Sequence, residues 1–122
     1  MTKNELRIGV WVNDLNGTPF RIEDAEDIAD FEQWENAYPI PITEEWLLKF
    51  GFQLGHKLYW IDERENAVLQ LSQVNSKNSW WDVVIKDKFT DYGFWLRYVN
   101  YVHQLQNLYF ALTGTELEIK QP

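Results

Sequence analysis

No cysteine occurs anywhere in the 122 residues. Disulfides, zinc–thiolate sites and cysteine nucleophiles are thereby excluded together. No run of about 18 apolar residues exists, so no segment reads as a membrane-spanning helix. The start, Met1-Thr2-Lys3-Asn4-Glu5, lacks the apolar stretch of a secretory signal. These absences make a cytoplasmic protein the simplest expectation. Basic residues are also scarce: 11 Lys and Arg stand against 19 Asp and Glu, for a formal charge of −8. Nucleic-acid affinity rests on neutralising phosphates with Lys and Arg, so a phosphate-binding surface is disfavoured. An acidic surface has two readings: solubility through like-charge repulsion, or a face that meets a basic partner or mimics nucleic acid. No phosphate loop, dinucleotide glycine pattern or Gly-x-Ser-x-Gly is present.

What is present is hydrophobic and aromatic. Hydrophobic residues make up 45% and aromatics 16% of the chain, enough to exclude a disordered chain and to fill the core of one domain spanning residues 1–122. Each buried aromatic removes about 150–250 Å² from water, so core is the default for most of them.

The clearest periodicity lies near the C-terminus. Tyr98, Val102, Leu105, Tyr109 and Leu112 recur at steps of three and four, with Tyr101 and Leu108 widening the stripe. This spacing predicts a core helix over about 101–113, with Asn100 as N-cap and Gly114 as its stop. His103, Gln104, Gln106 and Asn107 fall mainly on the opposite, uncharged polar face. That face is either a docking surface or packs on the protein's own loops.

A second helix is punctuated from both ends. Thr43 reads as its N-cap, Glu44 and Glu45 complement the helix dipole, and Ile42 and Leu47 have staple spacing. Gly51 can stop it, with Phe52 folding back on Leu47 in a Schellman motif. Before it, Tyr38-Pro39-Ile40-Pro41-Ile42 runs extended, because each proline restricts its predecessor.

The rest reads as strands. Leu6, Ile8, Val10 and Val12 alternate as one face of a strand, and Asn16-Gly17 turns the chain into Pro19–Ile22. Strands are expected at 57–61, 67–72, 80–85 and 93–99. Adjacent bulky residues at Tyr59-Trp60, Trp80-Trp81 and Phe94-Trp95 must point to opposite sides of the sheet. Either both faces are covered or one shows aromatics to solvent. Residues 23–35 carry seven acids and no base; helix and strand are equally permitted there. Without the ordered ligands and mid-loop glycine of an EF-hand, this run reads as a solvated face more than a metal site. The mixture without a β-α-β rhythm predicts an α+β fold: a curved antiparallel sheet, with barrel-like closure of its N-terminal end left open, packed by one long C-terminal helix and one short helix.

Three segments, 5–12, 39–52 and 101–114, beginning Glu5-Leu6-Arg7-Ile8-Gly9, Pro39-Ile40-Pro41 and Tyr101-Val102-His103, resemble in identity and order a set of small proteins encoded by phages and prophages of gut bacteria. They cover about a third of the chain. Val10 departs from the Asn that relatives often carry after the glycine. The resemblance implies a mobile-element protein acting inside a bacterial host. It brings no activity, so no catalytic residue follows from it.

Chemistry is hard to find. His56 and His103 have no Cys or second His at ligand spacing, and Ser72, Ser76 and Ser79 have no recognisable catalytic base beside them in sequence. Chance alone pairs carboxylates among 19 acids. Nothing singles out an enzyme, and no cofactor or metal is implied. The expected function is a non-enzymatic accessory domain that binds another protein, with Trp80, Trp81, His103, Gln104 and Asn107 as candidate contacts; tryptophan is enriched at binding hot spots. The rival readings are a nucleic-acid mimic built on residues 23–35 and a small hydrolase with an acid- and aromatic-lined pocket.

Overall fold

The computed structural model describes residues 6–23, 38–55, 58–64, 67–73, 80–87 and 93–120, with the backbone alone described at 55, 58–60, 62–64 and 67. Among the described residues the fold is α+β with antiparallel sheets and two helices. The chain forms two compact units, one from residues 1–41 and 101–118, the other from 42–100 and 119–122.

In the first unit β1 (Trp11–Asn13) pairs antiparallel with β2 (Pro19–Arg21). The turn between them closes through Gly17 N–H to the Asp14 carbonyl at 3.1 Å and Asp14 N–H to Thr18 O at 2.9 Å. Asp14 Oδ1 also accepts from the backbone N–H groups of Asn16 and Thr18, both at 2.9 Å. Among the described residues the sheet is two-stranded, extended by a bridge from Asn13 to Tyr38. No closed barrel forms among the described residues.

The strand expected from Leu6 onward is shorter than its alternation suggests. Gly9 takes φ +101° and Val10 N–H bonds back to the Arg7 carbonyl. The chain therefore turns before β1 begins, which exposes Ile8 while Val10 and Val12 stay buried with Ile22. Alternation fails because a left-handed residue resets the side-chain direction.

The C-terminal helix, α2, spans Val102–Thr113 and lies against β1. Its N-cap is Tyr101, not Asn100. Tyr101 is held extended by a bridge to Pro41, and the Val102 N–H bonds to Ile40 O at 2.8 Å. A backbone carbonyl outside the helix thus satisfies one of the first-turn amides that have no partner within it. Gln104 Oε1 reaches back to the Tyr101 N–H at 3.3 Å. Gly114 ends the helix, as its position suggests.

The second unit opens with α1 (Glu44–Lys49). Thr43 Oγ1 accepts from Trp46 N–H at 3.3 Å. At the other end Phe52 N–H bonds to Leu47 O and Gly51 N–H to Leu48 O, both at 3.0 Å, with Gly51 at φ +93°. These are the two bonds of the Schellman motif. Trp46, Leu47, Phe50 and Phe52 are buried.

Five strands follow in a meander: β3 (Gln53–Gly55), β4 (Leu58–Arg64), β5 (Ala67–Gln73), β6 (Trp81–Asp87) and β7 (Gly93–Val99). β3 is not among the strands expected from sequence; it pairs with β4, Gln53 opposite Trp60. In β5 and β6, Leu69, Leu71, Trp81 and Val83 alternate onto one buried face. Each such side chain contributes about 1.5–3 kcal/mol by leaving water.

Candidate functional site

The residues singled out from sequence separate sharply. Trp80 is exposed, whereas its neighbour Trp81 keeps only 5% of its surface. Trp81 opens β6 on the buried face, opposite Val99 and Gln73. His103 is 1% exposed, its ring stacked on Tyr101 with centroids 5.9 Å apart. Gln104 and Asn107 are half-buried. Gln104 caps the helix start, and Asn107 Oδ1 accepts from Arg7 Nε at 2.6 Å. Trp80 and Trp81 belong to one compact unit, and the three helix residues to the other.

Of the two readings of the polar helix face, docking surface or packing within the protein, the buried His103 and Gln106 favour the second. The buried arc runs through Val102, His103, Leu105, Gln106 and Tyr109, while Leu108 and Leu112 are only partly covered. Gln106 explains the rotation. Its fully buried amide accepts from Trp11 N–H at 2.8 Å and donates to Gly9 O at 2.9 Å and Leu117 O at 3.3 Å. Outside it, the Arg7 guanidinium pairs with Glu116, bonds to the Gln106 carbonyl and lies 4.5 Å from the centroid of the Phe110 ring. A buried polar side chain is tolerated where its bonding capacity is met, and here it ties three segments of the first unit together.

The surface that stands out lies on the second unit's sheet. β7 has one strand partner, β6, among the described residues. Their register steps from Val83 opposite Arg97 to Val84 opposite Trp95, so Leu96 is an extra residue, a β-bulge. In a regular strand, residues three apart face opposite sides. The bulge cancels that inversion, putting Trp95 and Tyr98 on one face with Asp82 and Val84.

Contacts follow from it. The Trp95 and Tyr98 rings meet edge-to-face with centroids 5.1 Å apart, and Trp80 closes on Tyr98 at 5.5 Å. Trp95 Nε1 donates to Asp82 Oδ1 at 3.0 Å, which fixes the indole plane. All three rings remain open to solvent, at 46% for Trp80, 56% for Trp95 and 41% for Tyr98. Beside them on the same face stand Ser72, opposite Asp82, and Gln70, opposite Val84. Phe94 and Arg97, opposite Ile85 and Val83, belong to the other face.

The bulge and Arg97 also decide which part of β7 is available. A bulge twists an edge away from a flat template, and a charge on the strand opposes pairing with another chain. The ring-bearing face, more than the strand edge, is thus the exposed asset of this unit. Sequence flagged Phe94-Trp95 as adjacent bulky residues, but assigned Tyr98 to the helical stripe. No glycine or proline marks the bulge that unites it with Trp95.

No protein-family model, curated protein or solved structure matches the chain. Among the described residues no group of three or more His, Asp or Glu side chains could hold a metal, and no helix is long and apolar enough to cross a membrane. Of the seven acids in 23–35 only Glu23 is described. The rest of that run, His56, Ser76 and Ser79 lie outside the described residues.

Proposed function

We propose that this protein is a non-enzymatic interaction domain that docks another protein through the ridge formed by Trp80, Tyr98 and Trp95. The observation that carries the reading is the mutual contact of three solvent-open rings, one of them pinned by Asp82. Exposed Trp and Tyr in contact with one another offer a large, rigid apolar area with little side-chain entropy left to lose, the profile of a binding hot spot. The candidate surface thus keeps Trp80 from the sequence reading and gains Trp95 and Tyr98. Trp81 and His103 are too deeply buried to meet a partner, and Gln104 and Asn107 are engaged within their own unit. The resemblance to phage and prophage proteins supplies the setting of this proposal, an accessory protein of a mobile element working in the cytoplasm of a bacterial host.

The test is co-purification from host lysate with wild-type protein and with the triple variant Trp80→Ala/Trp95→Ala/Tyr98→Ala. A partner retained by the wild type and lost from the triple variant, with the melting temperature shifted by only a few degrees, supports the reading. A partner retained equally by both sinks it.

A further inference from the structure

Two aromatic rings elsewhere in this chain are covered by the chain's own cations. Arg7 lies 4.5 Å from the centroid of Phe110, and the Lys49 ammonium 5.2 Å from that of Trp46. Among the described residues no lysine or arginine lies over Trp80, Trp95 or Tyr98. Lys86, opposite Gly93, stands at the far end of the same face. Arg97 belongs to the opposite face, its Nε donating to the Tyr98 carbonyl at 3.2 Å. Among the described residues, three π faces are thus left without the kind of cation that covers Phe110 and Trp46.

The ridge is also biased toward positive charge. Trp95 donates its indole N–H to the Asp82 carboxylate. That bond pushes electron density into the indole and makes its face more negative, which strengthens attraction for a cation. The carboxylate places a formal negative charge within the patch itself. The whole chain adds a field of −8, which draws basic partners and repels anionic ones.

We infer that the Trp80–Tyr98–Trp95 ridge receives lysine or arginine side chains carried on a basic segment of a partner protein. This rests on the reading of the same face as a docking surface, and adds the chemistry of what docks. An arginine suits the site best: its planar guanidinium stacks on one ring while its edge remains free to donate to Asp82 or Gln70.

The test uses the whole chain labelled with nitrogen-15 and follows the tryptophan indole signals by NMR. The probes are a capped peptide of alternating arginine and glycine and a matched peptide of alternating glutamate and glycine. The expected result is saturable movement of the Trp80 and Trp95 signals with the arginine peptide alone. Affinity falls about five-fold in Asp82→Asn, the size of one exposed cation–π contact, and the movement disappears in the triple ring variant.

That variant keeps the full charge, so it separates ring recognition from general attraction to an acidic protein. Equal binding of the arginine peptide by the triple variant overturns the inference. So does response to the glutamate peptide, or Trp80 and Trp95 signals that do not move. If the arginine peptide fails while the triple variant still loses its lysate partner, the docking surface stands and only the cationic partner falls. If the variant keeps that partner, the docking surface itself falls.

Discussion

The side-chain amide of Gln106 donates to the carbonyl of Gly9 at 2.9 Å across 97 residues of sequence. The same side chain holds the Trp11 N–H and the Leu117 carbonyl. Replacing it with leucine keeps the apolar stem and strands three backbone groups. Each orphaned group costs about 1–3 kcal/mol when water cannot reach it. Gln106→Leu should therefore lower stability by about 3 kcal/mol, read as a drop in the urea midpoint without a change in slope. A loss below about 0.5 kcal/mol would mean that the three groups find other partners.

Gly51 offers a way to separate backbone strain from crowding. At φ +93° an alanine is disfavoured, and its Cβ would sit 2.9 Å from Cδ of Lys120. Gly51→Ala should cost about 2 kcal/mol, of which about 1 kcal/mol is the left-handed backbone. Adding Lys120→Ala should return only the crowding part. The double-mutant cycle measures it; full recovery would show that backbone strain contributes nothing.

Thr43 is the one described side chain that caps α1, accepting from Trp46 N–H. Thr43→Ala should destabilise by about 1 kcal/mol, and Thr43→Ser by much less, because the hydroxyl is retained. Thermal unfolding of the pair checks this. Equal losses would assign the effect to the threonine methyl.

Deleting Leu96 should abolish the bulge. Trp95 would then lie two residues from Tyr98 in a regular strand, still on the face that holds Tyr98 and Asp82. Near-ultraviolet circular dichroism should keep the signal that coupled Trp95 and Tyr98 rings produce, and far-ultraviolet intensity should change little. Loss of the near-ultraviolet bands would show that the strand shifts its register and carries Trp95 to the other face.

Local signals were the most legible part of the sequence. Thr43, Gly51 and Phe52 specify α1 through bonds spanning a few residues, so reading them in order recovers the helix and both ends. Gly114 and the bounds of β7 are equally local. The orientation of α2 was not. Its polar residues look like a wet face until Gly9, Trp11 and Leu117 are brought to Gln106, and Arg7 to Asn107. Those partners lie up to 100 residues away along the chain. The ring cluster was hidden for a different reason: it depends on a register slip between β6 and β7 that no residue type announces. Gly9 misled as well, because an alternating pattern gives no hint that its glycine takes a left-handed turn.

Each compact unit draws on both early and late parts of the chain. The Gln106 amide serves residues near the beginning, and Lys120 N–H bonds to Lys49 O at 2.8 Å. During synthesis neither unit can complete its bonds until the last helix and the residues after it have left the ribosome. The Val10, Val12 and Ile22 cluster must wait, unshielded by α2, while about eighty further residues are added. At roughly 5–20 residues per second that interval is several seconds, long enough for chaperone capture to shape the yield of folded protein.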